Sequence, residues 1–237
     1  MIADLYRLLS QEATRRPAPL ILDEFQAITD HGAHLPNLLK ALADEYRQVS
    51  LVVAGSKRHL MEALVTAESA PLYGMAQKIA LGPIPDDQMQ AYLRRRATTG
   101  GKPMDNDTAA LIIGNAGPVP NDIQHLAYEA FEIGTTRIDQ DAALLGLEQA
   151  VAHEAATYGE EFSRRSPGQR RVLIELAVRA TDAPTSAAFV EAVGLANASS
   201  ARKAVRSLEA DELVVERNGR WNVADPFFAA WLADTTD

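Results

Sequence analysis

The sequence predicts an α/β parallel sheet, followed by an all-α segment and a winged helix-turn-helix. Three observations carry this. Two short, continuously apolar runs, LILDEFQA at 20–27 and VSLVVAGS at 49–56, are separated by a helical pattern, as in a sheet whose parallel strands need crossovers. From Asp86 on, the apolar rhythm is helical and is punctuated by Gly, Pro and Asn. Near the C-terminus, three short helical patterns precede LVVERNGRWNV, in which Asn218-Gly219 marks a hairpin.

The elements follow in order. Ile2, Leu5, Leu8 and Leu9 share one face of a helix over 2–14, which RRPAP ends. Residues 19–24 form a strand too short and too apolar for a surface helix. Leu35, Leu38, Leu39 and Leu42 place a helix over 35–48. Residues 49–56 form a second strand, KRHLMEALVTAES a helix or long turn, and QKIALGPI (77–84) a third strand. Four helical patterns then run to Phe162, the first capped by Asp86 and the third by Asn121 or Asp122. In the tail, SPGQRRVLIELAVRA, SAAFVEAVG and SSARKAVRSLEADE are helices, the last capped by Ser199 or Ser200. DPFFAAWL closes the chain as a short helix. The expected divisions are 1–85, 86–163 and 164–237.

Composition narrows the function classes. A chain of 237 residues that is 47% hydrophobic can build one large core or two small ones. It has no cysteine, so disulfides and thiolate metal sites are excluded and a cytoplasmic setting is expected. No apolar run approaches the ~20 residues of a membrane span, and the first helix lacks the charge order of a signal peptide. Net charge is −9, and all of the acidic excess lies in residues 1–163; residues 164–237 hold 10 basic and 10 acidic groups. A general polyanion binder is usually basic, so the tail would meet nucleic acid only through a local patch.

Asp23 and Glu24 end the first strand, the edge at which α/β sheets bind ligands. There the first carboxylate suits Mg²⁺, a hard ion that keeps several waters, and the second suits a water-activating base. Ser56, at the tip of the neighbouring strand, is placed to hydrogen-bond that water. The bland alternatives are an acidic pair that caps a turn and a Gly-Ser turn that leaves a strand.

The segments LILDEFQA, LVVAGSKRHLM, PLYGMAQKIALGPI, GNAGPVPNDIQHL and ADPFFAAWL, in this order, resemble the archaeal and bacterial AAA-type ATPases of the STAND-related group. The resemblance implies a P-loop ATPase core, a helical lid and a C-terminal winged helix. By it, Asp23 and Glu24 correspond to the Walker B pair, with Asp23 holding Mg²⁺ through water. Ser56 corresponds to the sensor-1 residue, and Gly117 and Pro120 to the lid motif beside the nucleotide. ATP and Mg²⁺ are the implied cofactors. Two departures stand out. No GxxxxGK[ST] loop is present; the sole Gly-Lys pair, Gly101-Lys102, lies downstream of the acids and precedes Pro103. Met75 follows PLYG where relatives often carry Arg, so no cation is implied there. Without the loop's N–H groups and lysine, tight triphosphate binding by the chain alone is not expected. In related folds the loop's strand lies mid-sheet. A remnant sheet with an unpaired edge is therefore expected, together with self-association or a companion chain supplying the loop.

His31 and His34 lie in a Gly- and Pro-containing stretch that suits a loop better than a metal site. Arg94, Arg95 and Arg96 suit a helix C-terminus, with a nucleotide or partner contact as the alternative. Ser200, Arg202, Lys203 and Arg206 on the third tail helix, with Arg217 and Arg220 on the wing, form the set that would meet duplex DNA. A DNA-binding regulator with a vestigial ATPase half and a protein-interaction scaffold are the two alternative functions.

Overall fold

The computed structural model describes all residues except Met1, Ala33, Lys57, Ala67, Ser69, Pro71, Thr236 and Asp237, and gives the backbone alone for Asp30, His31, Arg58 and His59. The chain divides into two units, Met1–Leu81 and Gly82–Asp237.

In the first unit, helix α1 (Ile2–Ala13) leads into strand β1 (Ala18–Leu22). A 3-10 segment, Phe25–His31, and helix α2 (His34–Glu45) form the crossover to strand β2 (Val49–Val53), and α3 (Arg58–Val65) follows. The strands pair in parallel, from Ala18 opposite Val49 to Leu22 opposite Val53. Burial alternates along both. Leu20 and Val49 are buried, whereas Ile21 is 64% and Val52 46% exposed. Parallel sheets are usually covered on both faces; here α1 and α2 cover one. Tyr6, Leu20, Phe25, Ile28, Leu39, Leu42 and Val49 form the core beneath it.

The expected third strand at 77–84 is not formed. That segment has no β-partner among the described residues, and Ile79 and Leu81 are 80% and 93% exposed. Its start is tied instead to α3 by an ion pair of 2.8 Å between Lys78 and Glu62. Within the described residues, the sheet therefore has two strands and keeps unpaired edges.

The second unit contains α4 (Asp86–Thr99), α5 (Asn106–Ala116), α6 (Pro120–Ile133) and α7 (Gln140–Ser163). It continues through α8 (Pro167–Val178), α9 (Ala187–Ala192), α10 (Ala198–Ala210), β3 (Val214–Arg217), β4 (Arg220–Val223) and α11 (Pro226–Asp234). One hydrophobic core runs from Met89 through Ile112, Leu126 and Leu173 to Leu232. The helical region and the tail thus share a core within this unit.

Local chemistry sets the helix starts. Asp105, Asp139 and Ser166 accept N–H bonds at the starts of α5, α7 and α8, and Ser166 forms a reciprocal capping box with Gln169. Asn197, not Ser199 or Ser200, caps α10, by accepting the Ser200 N–H at 2.9 Å. Val119 precedes α6 and Pro120 takes its first turn, so neither Asn121 nor Asp122 is the cap. Asp86 lies in the first turn of α4, after Pro85, where it favours the helix dipole without capping it. At the β3–β4 turn, Asn218 and Gly219 both take positive φ, 53° and 75°, as a two-residue hairpin turn requires.

Two glycines separate packing from propensity. A Cβ on Gly146 of α7 would lie 2.8 Å from the Ala130 backbone nitrogen of α6, whereas one on Gly114 of α5 would meet nothing within 4 Å. Gly146→Ala is expected to lower stability by about 1–3 kcal/mol, because backbone cannot give way as a side-chain tip can. Gly114→Ala is expected to raise it by about 0.5–1 kcal/mol through helix propensity. Urea midpoints of the two variants, moving in opposite directions, check this.

Candidate active site

Pairing continues one step beyond the strands. The Ala54 N–H donates to the Leu22 carbonyl at 2.9 Å, and the Phe25 N–H donates to the Ala54 carbonyl at 2.8 Å. These bonds bring the two strand tips together. Phe25 is buried at 3% exposure and anchors the turn, while Asp23, Glu24 and Ser56 stay at the surface. Glu24 takes φ 48° and ψ 42°, a left-handed conformation that costs a non-glycine residue about 1–2 kcal/mol. Its N–H donates to Asp23 Oδ1 at 2.9 Å.

The side chains converge. Ser56 Oγ donates to Glu24 Oε2 at 3.3 Å. Gln26 Nε2 donates to the same Glu24 oxygen and also lies 3.3 Å from Ser56 Oγ. Gln26 is 6% exposed, and its Oε1 is buried without a hydrogen-bond partner among the described residues. That oxygen occupies the space a Cβ on Gly55 would fill, 2.1 Å from the ideal position. Among the described residues, no group of three or more His, Asp or Glu side chains is arranged around a common metal position. Asp23 and Glu24 offer hard carboxylate oxygens at the surface. Such a pair suits Mg²⁺ when phosphates and waters complete its shell.

Gln26 was missed from sequence. Its only signal is a polar residue between Phe25 and Ala27, two positions after the acidic pair. The side chain of His31 lies outside the described residues, so the metal reading of His31 and His34 has no geometry here.

The remaining candidates lie in the second unit. Gly117 ends α5 with φ 70°, and Pro120 starts α6, so the two bracket one turn. Arg217 Nη1 approaches that turn, 3.8 Å from the place of a Gly117 Cβ. Arg217 is half-buried, and its Nη2 donates to the Ala224 carbonyl at 3.0 Å. Burial lowers its pKa, and the nearby Asp122 carboxylate opposes this. Arg220 donates to the Ala180 carbonyl at 2.6 Å. Both wing cations are therefore engaged in the fold. Arg202, Lys203 and Arg206 are exposed on α10, and Ser200 is partly covered beside them. Arg94 donates to Asn106 at 2.7 Å and Arg95 lies over the Tyr92 ring.

A second polar cluster gathers around Asp225. Its Oδ1 accepts the N–H groups of Phe227 and Phe228, capping α11, and its Oδ2 accepts the Tyr158 hydroxyl at 3.1 Å. Burial, with the Asp225 charge beside it, pushes the Tyr158 pKa far up. Burial also holds the Asp122 carboxyl above its usual range; Asp225 adds to this, while Asn121, Arg217 and His125 oppose it.

The comparisons agree with this architecture. Residues 156–234 match the family profile described as "Probable winged helix domain". No curated protein matches the chain. Among solved structures, the chain is similar to a Walker-type ATPase of Pyrococcus abyssi, with a TM-score of 0.73 and 19% identity over 98% of this chain and 68% of that one. It is also similar to the RuvB Holliday junction branch migration motor of Thermotoga maritima, with a TM-score of 0.50 and 16% identity over 93% of this chain and 70% of that one. The chain thus has the fold of a P-loop ATPase with a small parallel sheet, a helical region and a winged helix domain.

Because the folded state raises the Asp122 pKa, its proton binding favours the folded chain. That contribution is complete below the unfolded carboxylate value, about pH 4, and is lost as pH rises through the folded value. Asp122→Asn is expected to lose less stability than wild type on going from acid to neutral pH. Chemical denaturation across that range checks the slope.

Proposed function

We propose that this chain carries the hydrolytic half-site of a STAND-like AAA ATPase, in which ATP hydrolysis to ADP and phosphate drives a conformational switch. The observation behind this is the meeting of Glu24 and Ser56 at the tips of two parallel strands, with Asp23 beside them. Asp23 holds Mg²⁺ through water, Glu24 takes the proton of the attacking water, and Ser56 orients that water. Gly117 and Pro120 enter this reading as the nucleotide-binding residues of the helical lid. The phosphate-binding loop is not among the 237 residues and is supplied by further polypeptide. The chain alone therefore binds triphosphate weakly and turns it over slowly, if at all.

Paramagnetic Mn²⁺ with ATP offers a direct test. The amide signals of residues 22–26 and 55–56 are expected to broaden, and Asp23→Ala is expected to remove the effect. Broadening confined to other parts of the chain overturns the site. The melting temperature is expected to rise little at millimolar Mg²⁺-ATP, whereas a rise that grows with ligand concentration contradicts weak binding.

A second reading rests on the exposed face of α10, where Arg202, Lys203 and Arg206 are surface cations with no ion pair among the described residues. It makes the chain a winged-helix DNA-binding regulator whose ATPase half is vestigial. Arg202→Ala and Arg206→Ala are each expected to lower the salt slope of duplex binding by about one. Fluorescence anisotropy over a salt series measures this. Binding of neither ATP nor DNA leaves the interaction-scaffold reading.

A further inference from the structure

We infer that Gln26 is a positioning residue, whose side-chain amide holds the Glu24 carboxylate against the Ser56 hydroxyl so that base and water-orienting group are presented together. The inference rests on the hydrolytic reading of the site and adds to it the residue that sets its geometry.

Four features of the structure support it. Gln26 Nε2 reaches both partners at once, Glu24 Oε2 and Ser56 Oγ. Glu24 and Ser56 are exposed, and exposed side chains hold one rotamer only when something fixed holds them; Gln26 is buried and fixed. Its carboxamide oxygen has no partner among the described residues, which costs stability in an interior. A leucine would fill the same space without an unmet acceptor, so the two Nε2 contacts account for the amide. Finally, the amide lies where only glycine leaves room. A Cβ on Gly55 would meet Gln26 Oε1 at 2.1 Å and Met61 Sδ at 2.6 Å. Gly55 thus seats the clamp between the tip of β2 and α3. The clamped carboxylate still has Oε1 to present to a water. A base displaced by even 1 Å can lose about 10²-fold in rate, so its orientation matters.

The test has two arms, both on the 237-residue protein. In the first, the side-chain NH₂ signals of Gln26 are assigned by their loss in Gln26→Leu, and their exchange with water is measured. Wild type is expected to exchange at least about tenfold more slowly than exposed glutamines, and Glu24→Ala to erase that protection. Gly55→Ala, which keeps the glutamine but takes its space, is expected to do the same and serves if Gln26→Leu does not fold. Protection unchanged in Glu24→Ala and in Gly55→Ala overturns the clamp. In the second arm, phosphate release is followed with Mg²⁺-ATP. Gln26→Leu is expected to lower kcat by about tenfold or more while KM stays within about twofold, the signature of lost orientation rather than lost binding. A clamp seen by exchange with kcat unmoved overturns the positioning role. Where the wild-type chain alone releases no phosphate, as weak triphosphate binding allows, the Mn²⁺ broadening at residues 22–26 and 55–56 decides the hydrolytic reading and the exchange arm decides the clamp.

Discussion

The parallel pairing of Ala18–Leu22 with Val49–Val53 is the constraint on which the candidate site depends. Its register ends at Leu22 opposite Val53, and two further backbone bonds, through Ala54, carry the alignment to the turn. Glu24 and Ser56 stand 32 positions apart in sequence and meet only because this register is held. A slip of one residue would turn every side chain of a strand to the opposite face. Leu20 and Val49 resist that slip, because they would leave the core and Ile21 and Val52 would enter it. Hydrophobic burial under the sheet therefore sets the position of a polar group at its edge.

The same sheet is incompletely dressed. Parallel sheets are normally covered on both faces, yet Ile21 and Val52 lie opposite each other on an open face. Tyr6 shows what the covered face supplies. It is fully buried from α1, within reach of the Tyr46 ring, and burial raises its phenol pKa. An apolar open face and unpaired strand edges are where a further polypeptide segment gains most by binding.

In the second unit, polar groups serve the fold as much as any ligand. Asp225 caps α11 and holds Tyr158, while Phe228 and Trp231 stack beside that hydroxyl and Phe162 meets Trp231 edge-on. Arg165 pairs with both Glu161 and Asp211, linking the end of α7 to the end of α10. Arg217 is drawn toward the Gly117 turn rather than outward. On the wing, cations work as internal donors; on α10, they face solvent. The charges of α10 and of the wing are thus physically different populations.

Much of the architecture was legible because local rules produce it. The two strands, the helices after Asp86 and the Asn218-Gly219 hairpin follow from apolar period and from backbone conformations that few residues accept. The Asp23-Glu24 pair at a strand end was legible for the same reason. What local pattern could not reach was pairing. QKIALGPI has the composition of a strand, but a strand exists only where a neighbour offers its hydrogen bonds, and none does among the described residues. Cap identity at α10 turned on which side chain, Asn197 or a following serine, met the first free N–H. Gln26 gave little sign of its place, since the room for its amide depends on a glycine 29 positions away. Sequence by itself determined which segments could become elements and which end of the sheet would be acidic. Tertiary structure alone decided which strands found partners and which polar groups met, because both are long-range contacts that no local pattern encodes.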